Sequence, residues 1–133
     1  MQSLSTLRNV KMPVNHKILG QTHPSENTVS NVYVVPESTS AIVNSLFIVN
    51  QLPTKANVDI IIRPIDETLA DKHYLLKDKE VDASNSQILN LNLTLDADTI
   101  LAANVFPSSI STGFDTGGIQ ANVSFSAFGV EIT

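Results

Sequence analysis

From Ile88 to Leu95 the chain sets apolar residues at 89, 91, 93 and 95 against polar ones at 90, 92 and 94. This period of two is the mark of a β-strand with one face buried. Shorter runs of strand-forming residues recur upstream. Lys17-Ile18-Leu19-Gly20-Gln21 ends in the turn cluster His23-Pro24-Ser25-Glu26-Asn27, and Ser30-Asn31-Val32-Tyr33-Val34-Val35 is stopped by Pro36. Ser40 to Asn50 is rich in β-branched residues and apolar on both faces, so it predicts the most buried strand, central and covered on both sides. Val58-Asp59-Ile60-Ile61-Ile62-Arg63 follows and ends at Pro64. Asp66 to Lys72 fits one helical turn or a wide loop. His73-Tyr74-Leu75-Leu76-Lys77 is a further strand, with a turn expected over Asp78 to Ser86.

After the alternating segment, Asp96-Ala97-Asp98 makes a tight corner into Thr99 to Phe106. Residues 107–118, rich in Ser, Thr and Gly around Phe114, have the composition of a long exposed loop. The final strand, Ile119 to Ile132, changes its apolar set from Val123, Phe125 and Ala127 to Phe128, Val130 and Ile132, which predicts a β-bulge at Ala127-Phe128 before Gly129. About eight short strands and no long helical pattern predict an all-β fold, an antiparallel two-sheet sandwich of jelly-roll or immunoglobulin-like type. Its predicted inner side chains are Phe47, Ile61, Leu75, Leu91, Leu93, Leu101 and Phe125.

The first segment differs from the rest. Leu4, Leu7 and Val10 recur at threefold spacing, but Ser, Thr and Asn are mixed in and Pro13 closes the run. A helix this short is marginal alone, so residues 1–16 read as an N-terminal arm on a sandwich domain spanning 17–133. Leu4, Leu7, Arg8, Val10 and Lys11 of the arm, with Phe114 of the long loop, are the candidate assembly contacts.

The chain of 133 residues is one domain's worth. Its 16% of charged residues is low against the usual quarter or so, and the charges are uneven. Residues 1–25 hold three basic side chains and no acid, while the remainder holds five basic and thirteen acidic ones. An acidic body argues against a nucleic-acid partner, which demands a basic patch. No apolar run is long enough for a membrane-spanning helix, and none at the N-terminus resembles a signal peptide, so a soluble, unexported protein is expected. The absence of cysteine removes disulfides and thiolate chemistry.

Nothing in the pattern assembles a reaction. His16, His23 and His73 share no short ligand spacing, which makes structural or solvated roles the expectation. The acids of Asp78-x-Glu80-x-Asp82, close to Ser84 and Asn85, offer calcium-type oxygens but lack the Gly and Glu of an EF-hand loop, and they read as solvated turn residues. Gly117-Gly118 has no helix after it to bind a phosphate, and two Tyr and five Phe without Trp make a thin stacking platform. The expectation is a protein that is no enzyme and holds no metal or cofactor.

Five segments together, Lys17 to Gln21, Val32 to Pro36, Lys72 to Leu75, Leu93 to Leu95 and Asn122 to Ile132, carry a resemblance across residues 17–133. In order and spacing they look like a small virion protein family of tailed bacteriophages, with its LGQ, YxVP, HY and SFxxFGxEI motifs. The loop at 107–118 and the arm before Lys17 depart from that family. The resemblance implies a virion structural protein, a decoration, neck or tail component that assembles as a homo-oligomer with other virion proteins, without nucleic acid or membrane. A receptor- or carbohydrate-binding fibre module is the alternative, favoured by the Ser, Thr and Gly of the loop.

Overall fold

The computed structural model describes residues 14–25, 27–107 and 122–133. Among them run strands β1 (Val14–Thr22), β2 (Ser30–Val34), β3 (Ser40–Asn50), β4 (Ala56–Pro64), β5 (Tyr74–Val81), β6 (Asn85–Leu95), β7 (Thr99–Pro107) and β8 (Val123–Ile132). They form two antiparallel sheets in the orders β1-β8-β3-β6 and β2-β7-β4-β5. The pairing is nested: β1 with β8, β2 with β7, β3 with β6, β4 with β5. A long hairpin folded over on itself into two layers gives this order, which is the jelly roll, the first of the two sandwich types the sequence predicts.

The core lies between the sheets. Val43, Leu46, Ile48 and Phe125 from the first meet Val58, Ile60, Leu101 and Val105 from the second, all fully buried. Burying each such side chain contributes about 1.5–3 kcal/mol. A second, smaller cluster forms on the outward side of the β2-β7-β4-β5 sheet. There Ile61, Ile100 and Ala102 pack against Leu69 of the connection after β4 and Tyr74 at the start of β5. The only helical element of that connection is a 3-10 turn at Asp71–His73, shorter and later than a turn over Asp66 to Lys72.

Two motif glycines have a physical reason. A side chain at Gly20 would run into the Val32 carbonyl where β1 turns toward β2, and one at Gly129 would strike the Ile42 carbonyl of the adjacent strand. Both positions need a bare Cα because backbone approaches so closely.

Several expectations are corrected. β1 begins at Val14, three residues before Lys17, so part of the predicted arm is strand. β3 alternates between buried and half-buried residues, whereas β7 is buried without interruption from Ile100 to Val105 and β4 from Val58 to Ile61. Among the predicted inner residues, Phe125 and Leu101 lie in the main core and Leu91 and Leu93 pack partly against it. Ile61 is buried, but in the outward cluster. Phe47 is half-buried, and Leu75 stays 39% exposed.

β5 continues through the predicted turn at Asp78. That residue sits at φ 58°, an irregularity Asp tolerates, and its N–H donates to the buried Asp59 carboxylate at 2.9 Å. The bulge predicted in β8 lies in its partners instead. Ile18 and Gly20 of β1 oppose successive β8 residues, Phe128 and Ala127, leaving Leu19 extra; Asn44 is extra in β3.

Candidate functional site

Three clusters of polar side chains are engaged in holding the fold. His73, 6% exposed, accepts the Ala70 N–H on Nδ1 at 2.9 Å, so its proton resides on Nε2, which donates to Glu67 Oε1 at 3.0 Å. Lys72 Nζ approaches the same oxygen at 3.2 Å. These hydrogen bonds from His73 and Lys72 hold the Glu67 carboxyl below its ordinary value. An imidazole with both nitrogens so committed is a clip for the loop over Ile61, in keeping with a structural histidine.

Glu131 forms the second constellation. Lys17 Nζ lies 2.7 Å from Oε1, and the Tyr33 hydroxyl donates to Oε2 at 2.6 Å. This joins β1 and β8 of one sheet to β2 of the other. Lys17 and then Tyr33 hold the Glu131 carboxyl below its ordinary range, while burial, reinforced by Glu131, pushes the Tyr33 hydroxyl up.

At the opposite end of the sandwich, Asn50 is 1% exposed and ties two connections together. Its Nδ2 serves the carbonyls of Thr54, Val81 and Asp82 at 3.0–3.2 Å, and its Oδ1 accepts the Leu52 N–H at 2.9 Å. His23 Nε2 and Asn122 Oδ1 meet there at 2.9 Å. The acids predicted as turn residues are spread along β5 and beyond: Asp78 is bound through its backbone to Asp59, and Glu80 pairs with Lys55 at 3.5 Å. Among the described residues no group of three or more His, Asp or Glu gathers as a metal site.

The surface that remains is the outward face of the β1-β8-β3-β6 sheet. By register its positions are His16, Ile18 and Gln21 on β1, and Ser124, Ser126, Phe128, Val130 and Ile132 on β8. β3 adds Ser40, Ile42, Ser45, Phe47 and Val49, and β6 adds Ser86, Ile88, Asn90 and Thr94. None of these is an acid, a lysine or an arginine. An apolar band crosses the face. Ile18, 49% exposed, stands opposite Phe128; the Phe128 and Phe47 rings meet with centroids 5.0 Å apart at 60°; and Ile88, 52% exposed, stands opposite Phe47. A shallow depression lies beside Ile18 and Phe128, bordered by His16, Asn44, Ser45 and Gly129 and, at the sheet edge, by Lys17. An uncharged face of hydroxyls, amides and exposed apolar side chains desolvates at low cost against another protein surface.

Sequence reasoning placed no site on this face. Its signal was the adjacent apolar pairs Phe47-Ile48 and Ala127-Phe128, in which one member must point outward. The six predicted contacts, Leu4, Leu7, Arg8, Val10, Lys11 and Phe114, all lie outside the described residues.

Neither a protein-family model nor a curated protein matches the chain. Among solved structures it is similar to a chain of infectious bursal disease virus, Gt strain, at 11% identity and a TM-score of 0.51, covering 92% of this chain and 31% of that one. It is also similar to a chain of the T13 particle of the same virus, at 11% identity and a TM-score of 0.50, covering 90% and 30%. The chain therefore spans about a third of the viral chains it matches. At that identity the similarity is one of fold.

Proposed function

We propose that the protein is a structural subunit of a virus particle, present in many copies and held by surface and arm contacts. The observation that carries this reading is the uncharged, apolar outward face of the β1-β8-β3-β6 sheet, a face suited to a neighbour, on a jelly roll whose His73, Glu131 and Asn50 clusters hold the fold together. The fold shared with chains from viral particles supports it, and so does the order of the motifs. Those motifs further suggest a tailed bacteriophage and a decoration, neck or tail position, with other virion proteins as partners. Burial supplies the affinity in this reading, and the basic arm adds orientation against the acidic body of a neighbour.

Deleting residues 1–12 tests the proposal. The variant keeps the wild-type strand spectrum by circular dichroism but is not incorporated into particles; normal incorporation would overturn the arm's role.

A receptor- or carbohydrate-binding fibre module is the second reading. It is favoured by the Ser-, Thr- and Gly-rich β7–β8 connection, which leaves the sandwich at the end opposite to Val14, beside the β3–β4 and β5–β6 connections that Asn50 ties together. Binding of the free protein on a glycan array supports this reading, and failure to block adsorption opposes it.

A further inference from the structure

We infer that the outward face of the β1-β8-β3-β6 sheet receives residues 1–13 of a second copy of this chain. The inference rests on the assembly reading above and adds which face is covered and by what.

Reach supports this occupant. The residues preceding Val14 span about 43 Å when extended, at about 3.3 Å each. The band from Ile18 to Ile88 crosses four strands, which is three steps of about 4.8 Å, or about 14 Å. A neighbour's segment therefore crosses the whole face with some 30 Å left to bridge the two copies.

Pattern is the second argument. In an extended chain with three residues per turn, Leu4, Leu7 and Val10 share one side, Ser5, Arg8 and Lys11 the second, and Ser3, Thr6 and Asn9 the third. The apolar side matches the band of Ile18, Phe128, Phe47 and Ile88. The basic side then points away from a face that has no acid to pair with it. Leu4 to Val10 spans about 19 Å in this form, enough to cover that band.

The third argument selects a second copy over the chain's own arm. Pro13 directly precedes β1, and proline disfavours a turn-forming helical conformation at the residue before it, Met12. A tight reversal onto the chain's own sheet would use that conformation, which favours a neighbouring copy as the occupant.

The chain has no cysteine, so introduced thiols report directly. One population carries Leu7→Cys and a second carries Ile88→Cys; they are mixed, concentrated to the point of assembly and mildly oxidised. The expected result is a disulfide-linked dimer at least tenfold more abundant than with a control population carrying Leu75→Cys on the exposed edge of the other sheet. Copies that assemble without this preference would overturn the inference and leave the assembly reading standing. A chain carrying both Leu7→Cys and Ile88→Cys that closes on itself at high dilution, as efficiently as copies link in the mixture, would overturn the choice of a second copy. Wild-type protein that stays monomeric at every concentration and enters no particle would overturn the assembly reading itself.

Discussion

The two sheets match in strand number and in pairing but differ on their outward sides. Outside the β2-β7-β4-β5 sheet, the chain covers part of its apolar surface itself and leaves Val34, Ile65 and Leu75 exposed around that cover. Leu69 of the connection after β4 and Tyr74 at the start of β5 pack over Ile61, Ile100 and Ala102, and the Glu67-His73 clip holds the connection in place. The outward side of the β1-β8-β3-β6 sheet has Ile18 and Ile88 about half exposed and two phenylalanine rings between them. A sheet face that buries its apolar side chains under its own loop needs no partner, while one that presents them uncharged and flat is completed from outside. The covered cluster carries stability, and the open face carries the proposed association.

Substitution at the covered face has the largest expected effect. Ile61→Ala removes side-chain volume from a fully buried site and destabilises the isolated protein by about 2–5 kcal/mol, measured by urea denaturation. A cost below about 1 kcal/mol there would mean that the cover is loose. Opening the clip comes next. His73→Ala leaves the Ala70 N–H without its acceptor and costs about 1–3 kcal/mol, with hydrogen exchange accelerated over the connection after β4 and unchanged in β3 and β8.

The acid response is smaller. The folded-state pKa of Glu131 lies below its ordinary 4.5, so its stabilising effect is present above that value and is lost as the pH falls through it toward the lowered one. Glu131→Gln accordingly flattens the fall in melting temperature below about pH 4.5 without abolishing it, because Glu67 is lowered in the same direction. A variant whose acid limb is as steep as the wild type's would remove the Lys17-Glu131-Tyr33 contact from the account. Least of all on the monomer is the effect of Ile88→Lys on the open face, within about 0.5 kcal/mol, although incorporation into particles falls sharply. Equal losses from Ile61→Ala and Ile88→Lys would erase the distinction between the faces.

Local features of the chain were readable without the structure. The alternation from Leu89 to Leu95 is an unambiguous strand, and Pro36, Pro64 and the Asp96-Ala97-Asp98 corner mark ends that the structure places within a residue or two. Features that depend on distant partners were not readable. β5 passes through Asp78 because Asp59, 19 residues earlier, accepts its N–H, and no local pattern reports that. The expected bulge in β8 has the same origin. Ala127-Phe128 looks like a change of face, yet β8 runs straight and Phe128 is an outward apolar residue resting on Phe47. Sequence periodicity alone does not separate a face switch from a strand apolar on both sides, and so the open face, which is the candidate site, went unread. The early basic, apolar segment reads as an arm in the sequence, and the face proposed to receive it becomes visible only when four strands distant in sequence lie side by side.

Electron microscopy of particles purified from the source of this chain tests the proposed virion role most directly. The account predicts jelly-roll density in many repeated copies, with the outward face of the β1-β8-β3-β6 sheet covered by density from an adjacent subunit. Particles that lack the protein, or that carry it with Ile18, Phe128 and Ile88 facing solvent, would contradict it.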